Sequence, residues 1–135
     1  MSTLEGTNPL DPVGYRILLV EDDDGDAALV SWALRRQELR YVLDRAVTLE
    51  DCLATCRRRE FDVILLDLNL PGVHQFDGVH RVRKLVPGSA IIVLTGLDDP
   101  TAVQKAIQAG AQDYLDKNVS VQELGRSIHS ALLTT

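Results

Sequence analysis

The residues of this chain with reactive potential stand where short apolar runs end. Arg16 to Val20 runs into Glu21-Asp22-Asp23, Val63-Ile64-Leu65-Leu66 into Asp67, Ala90 to Leu94 into Thr95-Gly96, and Asp113 to Leu115 almost directly into Lys117. Carboxylates crowded into one crevice repel each other, and a hard divalent cation relieves that repulsion by taking oxygen ligands. Magnesium suits such a cluster, because it keeps several waters and binds one or two carboxylates together with phosphate oxygens. A third carboxylate is then left as a nucleophile, and Asp side chains form acyl phosphates. Asp67 is the candidate, since the turn Leu68-Asn69-Leu70-Pro71-Gly72 brings the backbone back over it. A phosphoryl group there would need its charge offset by the metal, the Lys117 ammonium and the Thr95 hydroxyl.

Each residue alone has a plainer explanation. Asp67 could cap the next turn, Thr95 could be an ordinary β-branched strand residue, and Lys117 could be a surface lysine. Tyr114 could be a core aromatic. The loop acids Asp22, Asp23, Asp24 and Asp26 could be a solvated acidic stretch with one N-cap. For Asp23, Asp24 and Asp26 that is the reading adopted. Agreement at four strand ends argues for chemistry at the remaining residues.

The elements that must position them follow from hydrophobic pattern. Strands are expected at Arg16 to Val20, Tyr41 to Val47, Val63 to Leu66, Ala90 to Leu94 and Asp113 to Leu115, with an amphipathic segment after each. Thr48 precedes the stripe of Leu49, Cys52, Leu53 and Cys56; Asp99-Pro100 opens a helix that Gly110 closes; Ser120 and Glu123 form a capping box. Five strands alternating with five helices imply a parallel α/β sheet, and ligands of such sheets bind beyond the carboxyl ends of the strands. Cys52 and Cys56 fall on the apolar stripe and read as reduced core residues. Residues 1–14, with Gly6, Pro9, Pro12 and Gly14, lack periodicity and read as a mobile arm, leaving 15–135 as one folded domain.

A net charge of −6 and a pI near 4.9 argue against nucleic-acid or anionic-membrane binding, which need clustered cations. The short run Arg57-Arg58-Arg59 complements a helix C-terminus instead. No stretch approaches the roughly 20 apolar residues of a membrane span, and no signal peptide is legible, so the cytoplasm is the expected location.

At this point the residues resemble a known family, the receiver domains of two-component response regulators. The resemblance covers Arg16 to Leu133 and rests on Leu18-Leu19-Val20-Glu21-Asp22, on Ile64-Leu65-Leu66-Asp67-Leu68-Asn69-Leu70-Pro71, on Val93-Leu94-Thr95-Gly96, and on Ala109 to Lys117. It implies a flavodoxin-like, doubly wound five-stranded parallel sheet of order 2-1-3-4-5 with helices on both faces. It further implies a signalling switch rather than a conventional enzyme. Asp67 would accept a phosphoryl group from a sensor histidine kinase or phosphotransfer protein. Asp22 and Asp67 would bind Mg2+ directly, Glu21 through water and Asn69 through its backbone carbonyl. Thr95 and Lys117 would contact the phosphoryl oxygens, and Tyr114 matches the switch aromatic. The altered surface would span the fourth helix, fifth strand and fifth helix. Asn69 and Leu97 would flank the path of hydrolytic water. The downstream effector is not readable, and a homodimer is one possible assembly.

Two features depart from the family pattern. Asn118 follows Lys117 where most receivers carry proline, so a trans bond and an altered loop are expected. The segment Pro71 to Gly78 is longer than usual, and its His74 reads as a solvent-exposed residue rather than a ligand. Two competing functions fit less well. A haloacid dehalogenase-like phosphatase would want an acid two residues beyond the nucleophile, where Asn69 stands. A degenerate receiver acting only as an interaction scaffold would not need Glu21, Asp22, Asp67, Thr95 and Lys117 together.

Overall fold

The computed structural model describes residues 14–74, 76–96, 100–118 and 120–134. Ten elements alternate: β1 (Tyr15–Val20), α1 (Asp24–Arg35), β2 (Tyr41–Ala46), α2 (Leu49–Arg58), β3 (Val63–Asp67), α3 (Asp77–Leu85), β4 (Ala90–Thr95), α4 (Pro100–Ala109), β5 (Asp113–Asp116) and α5 (Val121–Thr134). The strands form one parallel sheet in the order β2-β1-β3-β4-β5, as the sequence pattern and the family resemblance imply.

The apolar runs are continuous because the central strands are covered on both faces. Every residue of β3 and β4 is buried, and successive side chains serve opposite cores. Leu18, Val20, Ile64, Leu66, Ile91 and Val93 meet Leu49, Cys52 and Leu53 of α2, Val79 and Val82 of α3, and Ala106 and Ala109 of α4. Ile17, Leu19, Leu65, Ile92 and Leu94 meet Ala27, Val30 and Leu34 of α1 and Leu124, Ile128 and Ala131 of α5. A one-residue slip of any strand would exchange the two sets, so the pattern also fixes register.

Side-chain caps set the helix starts. Asp23 accepts from the Asp26 amide at 2.7 Å, Thr48 from the Asp51 amide at 3.0 Å, and Ser120 from the Glu123 amide at 3.1 Å. Asp99 lies outside the described residues, as do residues 1–13 of the expected arm. At the far end of α4, Gly110 has φ of 120°, and an added Cβ would stand 2.6 Å from Arg83 Cγ. The Arg83 guanidinium fills that corner, donating to the carbonyls of Gly110, Val86, Pro87 and Ser89 and to Gln112 Oε1. Burial holds this guanidinium below its ordinary pKa. Both cysteines are free, Cys52 buried and Cys56 half-buried.

The observed strands run one residue further than expected at functional positions. β3 includes Asp67, β4 includes Thr95, and β5 includes Asp116. The ladder continues even beyond them: Leu68 N donates to Leu94 O and Lys117 N to Thr95 O, both at 2.9 Å. Backbone pairing, rather than loop conformation, therefore sets the heights of these side chains above the sheet.

Candidate functional site

The strand order reverses between β1 and β3, which opens a crevice at their carboxyl ends. Val20 pairs with Leu66, so the next residues, Glu21 and Asp67, emerge side by side. Carboxylate oxygens of Glu21, Asp22 and Asp67 lie within 4.8 Å of one another. Asp22 is exposed, whereas Glu21 and Asp67 are buried at 0% and 2% exposure.

Hydrogen bonds orient both buried acids. Asp67 Oδ1 accepts from the Asn69 amide at 2.9 Å, and Oδ2 accepts from Lys117 Nζ at 3.2 Å. Glu21 Oε2 accepts from the Asp23 amide at 3.2 Å. Glu21 Oε1 has Lys117 Nζ 3.2 Å away but no hydrogen-bond partner among the described residues. Burial pushes the Glu21 carboxyl up to about 7, and neighbouring Asp67 adds to that rise against the opposing pull of the Asp23 amide and Lys117. An all-oxygen trio holding a buried carboxylate oxygen that makes no hydrogen bond among the described residues fits a hard divalent cation.

Thr95, at the end of β4, is fully buried, and the Asn69 side-chain amide donates to its hydroxyl at 3.4 Å. Tyr114, in β5, is half-buried against the core on the α4 side of the sheet. The Lys117–Asn118 bond is trans, and Asn118 N closes a turn onto Asp116 Oδ1 at 2.8 Å. His74 is exposed beside Gly72, Asp77 and His80, and is not among the clustered carboxylates. Leu97 lies outside the described residues. Two further cavities lie away from these residues, one lined by Arg16, Cys56 and Pro87 and another along α5.

Two residues belong to this site that the sequence reading leaves out. Asp26, assigned to a solvated loop, instead pairs with Lys117 Nζ at 2.9 Å. Burial alone would lower the Lys117 pKa, but Asp26, Asp67 and Glu21 outweigh it and hold the ammonium above its ordinary value. Asp26 follows the cap Asp23 by three positions, a spacing that turns it toward the strand ends, and this was the available signal. Arg45, near the end of β2, donates to the Glu21 carbonyl from Nε at 3.0 Å and NH2 at 2.9 Å, and its NH1 lies 2.9 Å from Asp24. It fastens the acidic loop to the neighbouring strand.

Comparison with known proteins identifies relatives of the chain. A family model for the response regulator receiver domain matches residues 17–129. The transcriptional regulatory protein AfsQ1 of Streptomyces coelicolor is 34% identical over 116 residues, covering 86% of this chain and 50% of AfsQ1. The chain spans about half the length of this and similar curated relatives. A response regulator structure from Chloroflexus aurantiacus superposes with a TM-score of 0.80 at 31% identity, covering 88% of this chain and 98% of the other. The BeF3-activated DrrB receiver domain gives 0.75 at 28% identity, covering 88% and 97%.

Proposed function

The chain belongs to the response regulator receiver domain family, and from that premise we propose that it is a phosphoryl-accepting switch with Asp67 as acceptor. The observation that carries this reading is the Lys117 ammonium at 3.2 Å from Asp67 Oδ2, with Glu21 and Asp22 beside the same carboxylate. An Asp67 oxygen forms the new bond to phosphorus while the P–N bond of a phosphohistidine, or the P–O bond of a small acyl phosphate, breaks. The bonding electrons leave with the imidazole or the carboxylate.

The side chains already present divide the work. The Asn69 backbone N–H fixes the rotation of the Asp67 carboxylate, and Lys117 and Thr95 supply donors to the phosphoryl oxygens. Glu21, Asp22, Asp67 and the Asn69 carbonyl would hold Mg2+, which when bound offsets negative charge on the transferring group. The donor is a sensor histidine kinase or a phosphotransfer protein in the cytoplasm. The surface of α4, β5 and α5 then presents the altered state to an effector or a second copy. Among the described residues no helix is long and apolar enough to cross a membrane. The haloacid dehalogenase alternative lacks its second acid, because Asn69 stands there and its amide faces Thr95.

Intact-mass measurement after incubation with Mg2+ and acetyl phosphate tests the acceptor. The expected result is a gain of one phosphoryl group that disappears in Asp67→Asn. A gain surviving that substitution, or no gain in the unsubstituted chain, would overturn the reading.

A further inference from the structure

We propose that Asp26 is the resting counter-ion of Lys117 and thereby restrains uptake of a phosphoryl group, an inference that rests on Asp67 being the acceptor. Lys117 Nζ is 2.9 Å from Asp26 Oδ2, against 3.2 Å from each of Glu21 and Asp67. Asp26 is the only one of these three outside the carboxylate trio, so it stays available to the lysine when the trio is engaged. Its position is firm, because its own amide is bound by the α1 cap Asp23.

The pair is largely sheltered. The Lys117 side chain is 15% exposed and that of Asp26 34%, so water screens them less than an ordinary surface ion pair. A phosphoryl group on Asp67 needs the donors that Asp26 now occupies, and brings more negative charge to its vicinity. Both effects oppose phosphorylation while Asp26 is present. Asp24 provides a contrast within the same helical turn: its side chain is 93% exposed and pairs with Arg45.

The test is titration with beryllofluoride in the presence of Mg2+, followed by backbone amide shifts, in the unsubstituted chain, Asp26→Asn, Asp26→Glu and Asp24→Asn. The expected result is half-saturation lowered about fivefold by Asp26→Asn, the effect of roughly one ion-pair contact. Asp26→Glu, which restores the charge, should return it toward the original value, and Asp24→Asn should stay within about twofold. Equal or weaker binding by Asp26→Asn, or an equal gain from Asp24→Asn, would overturn the proposal. Absence of binding by the unsubstituted chain would instead defeat the acceptor reading itself, and this proposal with it.

Discussion

The Asn69 side-chain amide donates to the Thr95 hydroxyl across 26 positions of sequence, joining the loop after β3 to the end of β4 at 3.4 Å. The contact is long for a hydrogen bond, which makes it a weak tether. A phosphoryl group on Asp67 would offer Thr95 a charged acceptor, and charged hydrogen bonds are roughly twice as strong as neutral ones.

Donation of the Thr95 hydroxyl proton to that acceptor is expected to draw the chain after Thr95 inward and to let the half-buried Tyr114 ring follow, carrying the change to α4, β5 and α5. Amide shifts with and without beryllofluoride should therefore spread over those elements, and Thr95→Ala should confine them to residues around Asp67. Shifts confined to that vicinity in the unsubstituted chain would show that no switch operates.

Arg45→Met should destabilise the domain. It leaves the Glu21 carbonyl without two guanidinium donors, a loss of about 1–2 kcal/mol and roughly 4–8 °C in Tm for a domain of this size. Arg45→Lys, retaining a single donor group, should recover part of the loss in a thermal melt. An unchanged Tm for Arg45→Met would mean that water replaces both contacts at no cost.

Glu21 supplies a pH dependence with an unusual sign. Its carboxyl titrates near 4.5 when unperturbed and at about 7 in the fold, so the folded state binds the proton more tightly than the unfolded chain. Stability from this group is present below pH 4.5 and is lost as pH rises through 7, by up to about 3 kcal/mol. In a metal chelator, denaturation midpoints should fall between pH 5 and pH 7.5, and Glu21→Gln should flatten that slope. A slope that survives the substitution would assign it to another group.

Leu97 carries the expectation about lifetime. It stands two residues beyond Thr95, where the family resemblance places one flank of the hydrolytic water path. An apolar side chain there would exclude water rather than orient it. Decay of the phosphorylated chain should accordingly be several-fold slower than that of Leu97→Glu, a modest part of what water exclusion can supply. Equal or faster decay in the unsubstituted chain would remove this role for Leu97.

The strand ends were legible because burial on both faces leaves uninterrupted apolar runs, so the first polar residue after each run marks the edge of the sheet. Glu21, Asp67 and Thr95 were found in this way, whereas Lys117 stands one residue past Asp116 at the end of the shorter, half-buried β5. Asp26 was hidden by its neighbours. Within Asp22, Asp23, Asp24 and Asp26, composition points to solvation, and only the helical turn begun by Asp23 singles out the acid facing Lys117, 91 positions away. Arg45 and Arg83 were hidden for a related reason. Each looks like a surface cation in sequence, and each spends its guanidinium on backbone carbonyls that no periodicity reveals.

The Arg83 corner gives α4 a pivot. Five acceptors around one guanidinium tie the Gly110 end of the helix to the start of β4 and to β5, while the other end begins at Pro100, close in sequence to Thr95. The ten residues of α4 form a lever about 15 Å long. A pull originating at Thr95 would tilt this lever rather than slide it, with amplitude falling toward Ala109. The exposed Val103 would then travel further than Ile107, so a partner reading the state of Asp67 would find the larger change on the half of the helix nearer the site.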